Sequence, residues 1–209
     1  MSQKSPTQVR TGIGRIAFCH LFEPSAMEGS TDKKYSCRFI FKKSDKKTLD
    51  DLNAAFKAAL EMGVPKHFKQ NVVDAYVSKG TLPKSFNYPI FDGDEYNDER
   101  EAEGKKRAPE LDGCYFINAK STSKPNCVRL TKGAIAEIGD NDKQLVYSGA
   151  NAAISVNFFG YSTGSVGVAV GLNNVCVTGG GAALGSGVTD PVEDFADLTF
   201  LDDVDDPTA

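Results

Sequence analysis

The stretch Tyr147-Ser-Gly-Ala-Asn-Ala-Ala-Ile-Ser-Val-Asn-Phe-Phe-Gly-Tyr161 runs through Ser-Thr-Gly-Ser into Val166-Gly-Val-Ala-Val-Gly-Leu-Asn-Asn-Val-Cys-Val177, and it constrains the fold more than any other part of the chain. Two runs of strand-forming residues flank a short Gly- and Ser-containing turn, which reads as a β-hairpin. Side chains alternate along a strand, so Ile154, Val156 and Phe158 share one face and Ser155, Asn157, Phe159 and Tyr161 the other. The first face is core. The second sets two rings among polar groups, a composition suited to stacking flat rings; the alternative is that a loop covers them.

Taken from the start, Val9 to Phe22 reads as a long first strand that Gly12 and Gly14 allow to bend or bulge. Tyr35 to Phe41 reads as a second strand, with Cys37, Phe39 and Phe41 toward the core and Ser36, Arg38, Ile40 and Lys42 away from it. Ser44 or Asp45 then caps a helix whose apolar residues Leu49, Leu52, Phe56, Ala59 and Leu60 recur at helical spacing up to Gly63 and Pro65. A shorter helix is expected within 66–80, with Val72, Val73, Tyr76 and Val77 on its apolar side. From Thr81 to Asp112 prolines, glycines and a charged run indicate an exposed excursion. Asp92, Asp94 and Glu95 lack the ligand spacing of a calcium loop, so a solvated loop is the expectation. Cys114 to Lys120 reads as a further strand with Phe116, Asn118 and Lys120 on one side, and Asn126 to Leu130 as its hairpin partner across Ser123–Pro125. That pairing would bring Arg129 close. The sum is a mainly β domain, a small closed or partly closed barrel with one main helix.

Charge sharpens the picture. The formal net charge is -4, yet no Lys or Arg follows Lys143, and eight acidic residues fall within the last twenty positions. Setting those eight aside leaves 24 basic against 20 acidic residues in 1–189, about +4. Residues 1–89 hold fifteen basic against eight acidic residues, so this part can attract a polyanion. Residues 190–209 lack an apolar period and are expected to form a disordered acidic tail, tethered by the glycines of 179–187.

Several function classes lack their residues. There is no phosphate-cradling Gly-Lys-Ser/Thr loop, no GxSxG elbow and no HExxH, and the neighbours Cys19 and His20 would point to opposite sides of a strand. The five cysteines are widely spaced without a CxxC, which suits reduced thiols and assigns no metal. No catalysis and no cofactor are expected. The polar start and the absence of a long apolar run point to a cytoplasmic protein without a membrane span.

The segments Arg15-Ile-Ala-Phe-Cys-His-Leu-Phe-Glu-Pro24, Lys34-Tyr-Ser-Cys-Arg-Phe-Ile-Phe-Lys-Lys43 with its capped helix, Phe91-Asp-Gly-Asp-Glu95, Gly113-Cys-Tyr-Phe-Ile-Asn-Ala-Lys-Ser121 and the Tyr147–Val175 hairpin occur in an order that resembles a phage family. That family comprises single-stranded-DNA-binding proteins with an OB-fold, related to the T7-like phage replication protein. The resemblance implies a flexible N-terminus over 1–8, an OB-fold domain over 9–187 and an acidic tail over 188–209. It further implies sequence-independent binding of single-stranded DNA in phage replication or recombination, in the cytoplasm of the infected bacterial host. The tail would contact phage or host replication enzymes through Phe200, Asp202, Asp203, Asp205 and Asp206. T7-like tails end in an aromatic, whereas this chain ends Asp-Asp-Pro-Thr-Ala, so docking by a terminal ring is not implied.

Alternation then assigns base stacking to Phe116, Phe159 and Tyr161, with Tyr35 and Tyr115 as substitutes if the register slips by one. Phosphate contacts fall to Arg15, Arg38, Lys42, Lys120 and Arg129. A homo-oligomer stays open. The competing reading is a protein-interaction module that recruits replication or recombination enzymes without touching DNA; a virion structural protein is a third.

Overall fold

A computed structural model of the chain describes residues 5–26, 31–131 and 134–184. Its organising element is the antiparallel hairpin of β9 (Asn151–Tyr161) and β10 (Val166–Val177), paired from Tyr161–Gly167 to Ala152–Val177. Ile154, Val156 and Phe158 are buried. On β10 the buried positions are Val168, Val170 and Leu172, then Val175 and Val177. The change of parity comes from a bulge between Leu172 and Asn174, where one extra residue keeps both halves of the strand facing the core.

Three more strands complete a ring: β2 (Gly14–Ser25), β3 (Lys34–Lys42) and β6 (Cys114–Ser121). The pairing runs β2 to β3 to β6 to β10 to β9 and back to β2, antiparallel except for β6 with β10. This five-stranded Greek-key closure is that of an OB-fold barrel. Two of its seams are short: Gly14 and Arg15 pair with β9, and Ala119 and Lys120 with β10. Ile16, Leu21, Cys37, Phe39, Phe41, Ile117 and Ala119 fill the interior with the hairpin's apolar face.

The expected first strand is split. Gln8–Arg10 forms β1 on the edge of β9, and β2 starts only at Gly14. Residues 5–8, expected to be flexible, are tied in: Thr7 is buried, its carbonyl accepts from the Phe158 N–H, and Gln8 pairs with Asn157.

Helix α1 (Lys46–Met62) follows the predicted period. Asp45 caps it by accepting from the Thr48 N–H at 3.0 Å, and Leu52, Phe56, Ala59 and Leu60 are buried in the barrel core. Helix α2 (Gln70–Lys79) buries Val73 and sets Tyr76 edge-on to Phe56, while Val77 is exposed.

The excursion from Thr81 to Asp112 is a cover for the barrel. It contains β4 (Phe86–Asn87), β5 (Ile90–Asp92), helix α3 (Gly93–Ala102) and a 3-10 turn at Pro109–Leu111. A second, smaller core of Ala17, Ile40, Leu111 and Phe116 lies on the outer side of β2, β3 and β6, with Tyr96 of α3 packed against it. Asp92 caps α3, and Gly93 is required by close approach, since a Cβ there would stand 2.1 Å from the Leu111 carbonyl oxygen. Lys43 clamps the helix start, 2.6 Å from Asp92 and 2.8 Å from Asp94. Lys43 and the Gly113 N–H hold the Asp94 carboxyl below the usual carboxylate range. These acidic residues are therefore structural, and no metal-holding group occurs among the described residues.

The expected hairpin of Cys114–Lys120 with Asn126–Leu130 does not form. Along β10 the edge opposite β9 carries β4, β6 and then β7 (Asn126–Thr131), all parallel to it. The chain does not reverse at Ser123–Pro125 but continues along the same edge; it turns back only into β8 (Ala134–Glu137). Burial pushes the Cys19 thiol up to about 12 and the Cys127 thiol to about 11, so both are protonated near neutrality. None of the five cysteines is in a disulfide.

Candidate nucleic-acid interface

The outer face of the barrel becomes a trough because β10 presents small residues there. Ala169 and Gly171 lie opposite Phe159 and Asn157 of β9 and line a low floor, while Gly167, opposite Tyr161, is buried against Asn87 of β4. One wall comes from Asn118 and Lys120 of β6 and Phe91 of β5. The enclosed volume is about 820 Å³, with Lys34 and Asn87 also on its lining. Phe159 is 47% exposed and Phe91 39%. Tyr161 is half-buried, its hydroxyl accepting from Asn87 Nδ2 at 2.8 Å, which fixes the ring's attitude.

Arg38 stands beyond Asn118. The two residues are cross-strand partners, and Arg38 Nε donates to Asn118 Oδ1 at 3.0 Å. The guanidinium lies 4.3 Å from the Phe116 ring centroid, 5.1 Å from that of Phe18 and 5.4 Å from that of Tyr96. Planar contact with rings suits guanidinium and leaves its edge donors to reach an anion. Phe91 stacks on Phe116 with centroids 5.0 Å apart and planes 14° from parallel. Cation, buried ring and exposed ring therefore form one pile. Two recesses continue the trough: one of about 390 Å³ shares Asn118 and Lys120 with it, and one of about 450 Å³ carries Tyr96, Arg100, Arg107 and Leu184. Phe18 and Arg38 line both. Arg107 is engaged by Asp98, Glu101 and Asp112, so its charge is largely compensated.

Of the residues assigned from alternation, Arg38, Lys120, Phe159 and Tyr161 come together on this face. Phe116 points the same way but is 1% exposed under Phe91, Tyr96 and Arg38, so it supports the trough and presents no ring to a ligand. Tyr115 has the opposite parity and packs with Phe41 at 5.9 Å, and Tyr35 shares the inward parity of Cys37. Arg15 is committed elsewhere, donating to the Gly149 and Ala182 carbonyls. Lys42 is exposed at the end of β3 opposite Cys114, away from the trough lining. Arg129 has the parity of buried Cys127, because β7 runs on past β6, and its Nε is enclosed without a hydrogen-bond partner.

Sequence reading missed Phe91, Lys34, Phe18 and the glycine floor. The alternation Gly167, Ala169, Gly171 was the available signal, since small residues on one strand face mark a close approach, here of Asn87 at Gly167 and of Asn157 at Gly171. The linker expectation over 179–187 also changes: Tyr147 Oη donates to the Gly180 and Gly181 carbonyls, and the Leu184 N–H donates to Ser148, so the chain is pinned as far as Leu184. The tail expectations, Phe200, Asp202, Asp203, Asp205 and Asp206 included, lie outside the described residues.

Comparison with solved structures finds the same fold in phage proteins. The single-stranded DNA-binding protein from bacteriophage Enc34, in complex with ssDNA, superposes with a TM-score of 0.60 at 16% identity, over 88% of this chain and 97% of that one. The gp2.5 protein of bacteriophage T7, a single-stranded DNA binding protein, gives 0.53 at 14% identity over 92% and 94%. In sequence, protein p50 of Acyrthosiphon pisum secondary endosymbiont phage 1 is 27% identical over 190 residues, covering 90% of this chain and 92% of that one. The model of the Enterobacter phage Enc34 ssDNA-binding protein family matches residues 7–206, so the barrel, its cover and the segment that follows are all within it, and the chain belongs to that family.

Proposed function

We propose that the chain binds single-stranded DNA without regard to sequence, in the cytoplasm of an infected bacterial host, and serves phage replication or recombination as a binder rather than a catalyst. The observation that carries the reading is the trough, in which exposed rings and cations share the outer face of an OB barrel. Phe91, Phe159 and Tyr161 take unstacked bases, while Lys120, Lys34 and the outer edge of Arg38 take phosphates. Phe91 and Phe159 offer flat faces without hydrogen-bonding groups, so every base fits them equally. Duplex DNA, whose bases are already stacked, gains nothing there.

The acidic tail is part of the same proposal. Leu184, the last of the described residues, lines the recess that holds Arg38 and Arg100, at one end of the groove. A tethered polyanion starting there competes with DNA for these cations and, when DNA displaces it, is released to replication enzymes.

Titration of the full chain with labelled oligo-dT, oligo-dA and a duplex of equal length tests the reading. Comparable affinity for both single strands, weaker duplex binding and a salt slope of about -0.7 per phosphate contacted are expected. Absence of oligonucleotide binding at low salt would overturn it.

A further inference from the structure

Phe18 is the only non-glycine among the described residues with a positive φ, at 50°. Its strand carries one residue too many at this point. Ala17 pairs with Arg38 and His20 with Ser36, so Phe18 and Cys19 together oppose Cys37. Bulges of this geometry ordinarily place glycine in the left-handed position, because a Cβ there crowds the following carbonyl. Here the position holds a large ring that is 60% exposed, so burial offers little to offset the strain.

The ring is held in place all the same. The Phe18 N–H donates to Ser148 Oγ at 3.0 Å, and the Arg38 guanidinium lies 5.1 Å from the ring centroid. The bulge sets the ring where the two recesses beside Asn118 and Arg100 meet, since Phe18 lines both. A strained, exposed aromatic that packs on little except a cation is arranged for a ligand with a flat face.

Resting on the reading of the trough as a single-stranded-DNA interface, we infer that Phe18 is a further base-stacking platform. It carries the strand from the Phe91 and Phe159 trough across β2 and β3 to the Arg100 recess. Arg38 then serves two stations at once, lying between the ring of Phe18 and that of Phe116, which backs Phe91. The ligand at Phe18 is an unpaired nucleobase of any kind, because phenylalanine presents no hydrogen-bonding group.

The left-handed φ supplies a clean test. Phe18→Gly relieves the strain and removes the ring; Phe18→Leu keeps apolar bulk without a flat face; Phe159→Ala serves as the reference for the trough. Each is titrated with labelled oligo-dT and melted by circular dichroism. Phe18→Gly is expected to bind about tenfold more weakly and to melt at or above the wild-type temperature, with Phe18→Leu losing a similar factor in affinity. Unchanged affinity in both Phe18 variants, with Phe159→Ala weakened, overturns the role of Phe18 and leaves the trough reading standing. Unchanged affinity in all three overturns the trough reading itself. A lowered melting temperature in Phe18→Gly makes the ring a packing residue, and retained affinity in Phe18→Leu alone makes the contact apolar rather than stacked; either result overturns the proposal.

Discussion

Two phenylalanines on outward-facing positions of the barrel should respond to the same substitution in opposite ways. Phe159 is 47% exposed, so Phe159→Ala is expected to weaken oligo-dT binding by about 1–3 kcal/mol while the melting curve stays in place. Phe116 is 1% exposed beneath Phe91, Tyr96 and Arg38, so Phe116→Ala leaves a cavity and should cost about 3–5 kcal/mol of stability. Melting each variant beside a binding titration checks both; a stable Phe116→Ala or a destabilised Phe159→Ala would reverse the assignment. Alternation legitimately assigns both rings to outer faces. What it does not contain is the cover, because Phe91 and Tyr96, which with Arg38 bury Phe116, come from a segment some twenty positions earlier with no apolar period of its own. Arg38 and Lys120 were legible because their strands supply the register directly, whereas Arg15, which donates to carbonyls of distant segments, and Arg129, whose strand continues along β10 past β6, were not.

At the scale of elements, α1 and α3 show two ways a helix is fixed. Helix α1 carries its instructions in periodic apolar residues and a capping Asp45, so its span was readable almost to the residue. Helix α3 is nearly all polar, and a polar bond secures it: Asn97, fully buried, donates to the Ala108 carbonyl and to Asp112 Oδ1 and accepts from the Ala108 N–H, each at 2.9 Å. Asn97→Ala leaves the Ala108 N–H without its acceptor, at a cost of about 1–3 kcal/mol, while the Ala108 carbonyl still accepts from the Leu111 N–H. The expected signature is faster amide exchange across 93–112 with β9 and β10 still protected; exchange unchanged in 93–112 would mean that the Lys43 clamp alone holds the cover. No hydrophobic pattern announces such a helix, which explains why 81–112 read as an exposed loop. The parallel run of β4, β6 and β7 was equally hidden, because nothing local to Ser123–Pro125 says whether the chain reverses there or continues.

For the molecule as a whole, the separation of charge along the chain is the property with the widest reach. Deleting residues 190–209 removes eight acidic groups and should raise affinity for single-stranded DNA, most strongly at low salt, where both competitors bind the cations best. The deletion should also steepen the salt dependence, since salt frees the groove of the intact protein as it weakens DNA binding. Fluorescence anisotropy of both forms across a salt series checks this, and equal affinities throughout would leave the tail a recruiting or solubilising role. The order of strands in the ring has a different consequence, one of biogenesis. The seam of the barrel is β10, which pairs with β4, β6, β7 and β9, yet among the described strands it is the last to leave the ribosome. Until β10 has emerged, β9 lacks its hairpin partner and β6 lacks the parallel pairing at Ala119 and Lys120 that closes the ring across about fifty residues of chain. The domain therefore cannot grow stepwise behind the translating ribosome. Nascent chains arrested before Val166 should be digested readily by added protease, and resistance should appear in one step once β10 is free. There is thus a short interval when the whole barrel is waiting on a single strand, and that interval is where a chaperone would matter most.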